Sequence, residues 1–134
     1  VALITSADYP AVRSALDIRL DSTILPDSVI AQKTYHTAAE LEVKRRDPDA
    51  ESRTGDDLTR VQLATIYLLA AFLAPAVPYV TQQSLGGSSF SVHDVDWKER
   101  AAQLRTRADD LLAEVTDVTV FGHFDKAPGR RGVW

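Results

Sequence analysis

Apolar residues recur at helical spacing along most of this chain, and four stretches carry the pattern. In SADYPAVRSALD, Ala11, Val12, Ala15 and Leu16 form a short stripe, and Ser6 is placed to cap it. A second helix is expected from about Asp27 to Arg46, with Pro26 at or near its start. Its stripe of Ile30, Thr34, Thr37, Ala38 and Leu41 is thin. RRDPDAESRTGDD is a charged, turn-rich break. Thr54 can cap a third helix after it, with Asp56 and Asp57 against the positive end of the helix dipole. The last helix has the clearest stripe: Trp97, Ala101, Leu104, Ala108, Leu111 and Val115 step by 4, 3, 4, 3 and 4. Asp96 and Glu99 before it have capping-box spacing.

The third helix raises a separate question. Val61 to Val80 holds no charge across twenty residues, long enough to cross a bilayer. Its most apolar part, Ile66 to Ala74, is only nine residues, and five of the twenty are alanine. Gln62, Thr65, Pro75 and Pro78 soften the run, and no clear basic flank orients an insertion. A helix buried on nearly all sides by amphipathic neighbours fits better than a membrane span. Any apolar face left over points to self-association.

Two segments break the helical pattern. TQQSLGGSSFSVH reads as two short antiparallel strands around a glycine turn, at about 81–93, with Ser84, Leu85, Gly86, Gly87 and Phe90 as its marked positions. TDVTVFGHFDKAPGRRGVW mixes β-branched and aromatic residues with glycine and proline, too apolar for a solvated tail. Residues 117–134 are therefore expected to form an extended C-terminal arm that docks on a partner. Phe121, Phe124, Arg130, Arg131 and Trp134 would be its anchors, because aromatic and arginine side chains concentrate binding energy at interfaces. The expected architecture is mainly α: one small helical bundle over 1–116, a short β-hairpin within it, and the arm.

Composition narrows the chemistry. The 134 residues suit one domain, and a net charge of -4 gives no overall pull toward nucleic acid or an anionic membrane. The absence of cysteine removes disulfides, thiolate metal sites and cysteine nucleophiles. The chain opens on Val1, as after removal of an initiator methionine, and VALITSADYP does not read as a secretory signal. His36 and Glu40 have the i, i+4 spacing of a ligand pair, yet two ligands are not a metal site, and the charged setting favours a solvated face. His93, Asp94 and Asp96 lie close enough in sequence for acid/base work, but helix capping accounts for the aspartates. His123 and Asp125 sit in the arm, a poor place to hold catalytic geometry. No nucleophile elbow, P-loop, zincin or dinucleotide motif is present. Lys98, Arg100, Arg105 and Arg107 on the last helix, with Lys126, Arg130 and Arg131, could touch phosphates, although Asp96, Glu99, Asp109, Asp110 and Glu114 share that helix.

VTQQSLGGSSFSVHDVDW, after an alanine-rich helix ending in LAPAVPYV, resembles the phage head-to-tail connector (adaptor) family. There a segment of the type V-x-S-E-S-(L/I)-G-(D/G)-x-S follows the buried helix. Val80, Ser84, Leu85, Gly86 and Ser89 stand in the matching places, while Gln82 and Gln83 depart from it. LITSADYPAVRSALD and RRDPDAESRTG also fit, so the resemblance covers roughly residues 3 to 115. It implies a small helical bundle with no enzymatic activity, cofactor or metal. It implies a ring, commonly dodecameric, that joins the capsid portal to a tail or stopper protein and lets DNA pass through. Such a protein assembles in the host cytoplasm and ends at the head–tail interface of the virion, away from any membrane. The main rival reading is a small cytoplasmic DNA-associated helical regulator, and a third is a hydrolase-like enzyme using His93 with Asp94 or Asp96.

Overall fold

Thr5, one residue before the expected cap, opens the first helical segment. Its Oγ1 accepts the Ala7 N–H at 3.3 Å, and Asp8 Oδ2 accepts the Thr5 N–H at 2.9 Å, closing a capping box. A single 3-10 turn at Ser6–Asp8 then leads into α1 (Tyr9–Leu16), with Pro10 in its first turn. The computed structural model describes residues 3–81 and 95–120, with side chains at 3–79 and 95–116. Tyr9, Val12, Arg13 and Leu16 are the buried positions of α1, while Ala11 faces out.

The expected second helix is broken. Asp27–Ile30 forms α2, and Gln32 then turns extended at φ -62° and ψ 146°. A π-helical turn over Lys33–Thr37 follows before α3 (Ala38–Arg46). The break resets the helical register, so the inward residues are Ile30, Ala39 and Val43. Thr34 and Thr37 face solvent, and Leu41, expected in the stripe, is 60% exposed.

A 3-10 turn at Ala50–Ser52 leads to α4 (Gly55–Leu73). Thr54 occupies the cap position, but its side chain makes no capping bond. Gly55 has φ +63°, a left-handed conformation that glycine adopts without cost, and an added Cβ would meet nothing within 4 Å. The requirement for glycine there is thus one of backbone shape alone. Pro75 ends α4 in a 3-10 turn at Ala74–Ala76, and Pro78 sits in α5 (Val77–Thr81), as expected for residues that lack an N–H. α6 (Trp97–Val120) is the longest helix. Asp96 Oδ1 caps it by accepting the Glu99 N–H at 3.1 Å, while Glu99 turns to Gln103 instead of closing the box. Its buried face is Trp97, Leu104, Ala108, Leu112 and Val115, with Ala101 and Leu111 at the margin.

These elements form a mainly helical bundle around α4, which packs on α6, α1 and α3. α4 and α6 run antiparallel: Arg60 meets Glu114, Tyr67 meets Arg107, and Phe72 meets Arg105. The Gly55–Tyr79 run is long and apolar enough to cross a membrane, and 61% of its most apolar window is buried inside the bundle. The core helix of a soluble protein has the same length and composition.

Two expectations change at the ends of these elements. No strand occurs among the described residues. Thr81, placed at the start of the β-hairpin, instead ends α5, a new helical turn that starts after the 3-10 turn at Ala74–Ala76. The rest of the hairpin stretch, including Ser84, Leu85, Gly86, Gly87 and Phe90, lies outside the described residues. The arm was expected from residue 117, but α6 continues through Val120.

Candidate functional site

The anchors assigned to the arm, Phe121, Phe124, Arg130, Arg131 and Trp134, lie outside the described residues, as do His93, Asp94, His123 and Asp125. The remaining candidates can be placed.

His36 and Glu40 are not on a solvated face. Glu40 Oε2 accepts the backbone N–H groups of Leu3 at 2.7 Å and Ile4 at 3.2 Å. His36 Nε2 lies 3.5 Å from the same oxygen, and His36 Nδ1 lies 2.7 Å from the Tyr9 hydroxyl. With its proton on Nε2, the ring points a donor at Glu40 and accepts the Tyr9 O–H. Burial, together with the charges of Asp27 and Glu40, pushes the Tyr9 pKa up, so Tyr9 stays a neutral donor. This network straps the start of the chain onto α3, and its carboxylate is occupied by backbone donors. Among the described residues no group of three or more His, Asp or Glu is placed to hold a metal ion.

Three of the basic residues of α6 are engaged with other parts of the fold. The Arg100 guanidinium donates to the Leu16 carbonyl, Arg107 lies 5.8 Å over the Tyr67 ring, and Arg105 lies 5.4 Å over Phe72. Elsewhere cations meet acids: Arg46 pairs with Asp109, Arg60 with Asp57 and Glu114, and Arg13 with Asp27. Arg53 holds Asp47 through two hydrogen bonds, at 2.9 and 3.1 Å.

Beyond α1 the chain makes a tight turn, Asp17–Leu20, fixed almost entirely by one carboxylate. Asp17 Oδ1 accepts Arg19 N and Arg19 Nε, each at 2.9 Å, and Oδ2 accepts Arg19 Nη2 at 3.0 Å. The Leu20 N–H closes the turn on the Asp17 carbonyl at 3.0 Å. The hydrogen bond from the Arg19 side chain lowers the Asp17 pKa below its ordinary 3.8, outweighing burial, which acts in the opposite direction. Because folding lowers this pKa, its stabilisation is present above 3.8 and is lost as pH falls through the folded-state value. Asp17→Asn should therefore be less stable than the parent at pH 7. The gap should narrow below the ordinary aspartate range, as read by urea unfolding at stepped pH. A gap independent of pH would show that the Asp17 charge does not hold the turn.

That turn presents Ile18, 87% exposed, the most exposed large apolar side chain among the described residues. Ile18 was not singled out in the sequence, because an isolated isoleucine in a polar connection carries no periodic signal.

On the other flank of α6 lies an open groove of about 690 Å³. Tyr35 and Ala38 form one wall, Phe72 and Pro75 the floor, and Ala102 and Arg105 the other wall. The surface is mostly apolar, and one cation stands at its margin. Small alanines leave the space open, and the Pro75 turn exposes the end of α4 to it. No protein-family model, no curated protein and no solved structure matches this chain.

Proposed function

We propose that this chain is a structural virion protein of the phage head-to-tail connector type. Copies join in a ring, in the common case of twelve, between the capsid portal and a tail or stopper protein. DNA passes through the ring without sequence-specific binding. The protein assembles in the host cytoplasm and ends at the head–tail interface. It needs no cofactor, metal or membrane.

One observation carries this reading: the order of segments along the chain. The helix at the centre of the bundle, α4, runs into the two-proline stretch LAPAVPYV, and TQQSLGGSS comes directly after it. Two features support it. Glu40 and Asp47 tie separate segments together, and Asp17 holds its own turn. The surface offers an apolar knob and an apolar groove, suited to repeated assembly. The placement of three α6 arginines on two aromatic rings and a carbonyl weighs against the regulator reading, which needs a cationic stripe.

The test is a count. Quantitative mass spectrometry of purified particles should find this chain and the portal protein in a ratio near one. Absence from mature particles overturns the proposal. Steep salt-dependent DNA binding by the isolated chain would then favour the regulator.

A further inference from the structure

We infer that neighbouring copies join head to tail by seating the Ile18 turn of one copy in the Tyr35–Phe72–Ala102 groove of the next. The contact gives the ring reading its interface and rests on that reading for closure.

The placement of the two features on α6 carries the inference. Arg100 and Gln103 line the surface beside Asp17 and Arg19, next to the Ile18 turn. Ala101, Ala102 and Arg105 line the groove beside Tyr35 and Ala38. Residues 100 and 103 face α1, whereas 102 and 105 face α3 and the π-helical turn. The knob and its receptor therefore sit at the same level of the bundle on opposite flanks. A patch that fits a different patch on an identical molecule makes a heterologous contact, which propagates and closes when the rotation permits.

The chemistry of the two surfaces matches. Ile18 stands on a turn already fixed by Asp17, so ordering it on docking costs little. The groove offers apolar and aromatic walls and has room for the flank of the turn as well as the isoleucine. Arg105 is exposed, with its guanidinium carbon over Phe72, and can offer N–H groups to a carboxylate. Asp21, three residues beyond Ile18 and exposed, supplies one; its Oδ1 also accepts Thr23 N at 3.0 Å and Ile24 N at 2.9 Å. The charge of Asp17 is already met by Arg19, so Asp21 is the acid the turn brings to Arg105.

The chain contains no cysteine, so two placed thiols report the contact without background. Ile18 and Ala102 are both exposed, and Ile18→Cys and Ala102→Cys should leave the circular dichroism unchanged. The two single variants are mixed and treated with a short thiol-to-thiol cross-linker. The 18–102 product should exceed the symmetric 18–18 and 102–102 products by about tenfold, as for one specific geometry over random collision. The double variant should give a ladder of multimers. With the two variants mixed in equal amounts, an 18–102 yield no more than about twice that of each symmetric product, as random pairing gives, or no product, overturns the contact. Repeating the reaction on assembled particles separates this inference from the connector reading. A ladder in solution with no chain in particles keeps the contact and removes the connector. Chain present in particles without the 18–102 product removes the contact and keeps the connector.

Discussion

Leu69→Ala is expected to lower the free energy of unfolding by about 2–5 kcal/mol. Leu69 lies in the middle of α4 and is 0% exposed, with Leu68 and Leu73 also fully buried beside it. α4 touches α1, α3 and α6, so no single neighbour can move in to fill the space without leaving another. The loss combines the transfer of the removed atoms with the cavity that remains, and a site walled by helices on several sides collapses poorly. Urea unfolding followed by circular dichroism measures it. Leu41→Ala is the comparison: Leu41 is 60% exposed, and the change should stay within about 0.5 kcal/mol. Equal losses at the two positions would mean that α4 is not the centre of the bundle.

Asp47→Ala is expected to cost about 3 kcal/mol, the low end for breaking a buried pair from one side. The Asp47 side chain is 1% exposed and that of Arg53 is 16% exposed. Removing the carboxylate leaves a guanidinium with little access to water and without its hydrogen-bonded acid, with only the more remote charges of Asp49 and Asp57 acting on it. The Asp49 N–H also loses Asp47 Oδ1, at 3.3 Å, as acceptor. A guanidinium stays protonated across the working pH range with or without this partner, so the mismatch persists. The pair shapes the connection from α3 to α4, and its loss should loosen that connection first. Arg53→Ala added to Asp47→Ala should then cost little more, because the first change has already removed what the second would. Full additivity of the two losses would show that they act separately.

The long helices were readable because their signal is repeated. α6 shows its stripe over Trp97–Val115, with Leu112 buried in place of Leu111 and Ala101 at the margin. The apolar run of α4 fixed both its identity and its burial. Short-range choices were less readable. Ser6 and Thr5 are equally good caps by type, and the Asp8 carboxylate settled the matter by bonding Thr5. The break after Ile30 left no glycine or proline to announce it, so a continuous helix gave a stripe in the wrong register. Glu40 was read as part of a solvated face and Asp47 only as part of a turn-rich break, because their partners, Leu3, Ile4 and Arg53, are set by the fold rather than by spacing on one helix. The docking features were the least legible, since a lone isoleucine and a cluster of alanines acquire meaning only from where the bundle puts them.

The π-helical turn over Lys33–Thr37 places two consecutive residues on different sides of the chain. Tyr35 faces the groove, and His36 faces Tyr9 and Glu40. A π turn holds one residue more than an α turn. Deleting one residue there would let a regular helix form and would rotate everything before it by about 100°. The strap on the N-terminal segment and the wall of the groove would part company together. This stretch should therefore accept exchanges of residue type far more readily than insertions or deletions, which makes its length the quantity that ties the two faces of the molecule together.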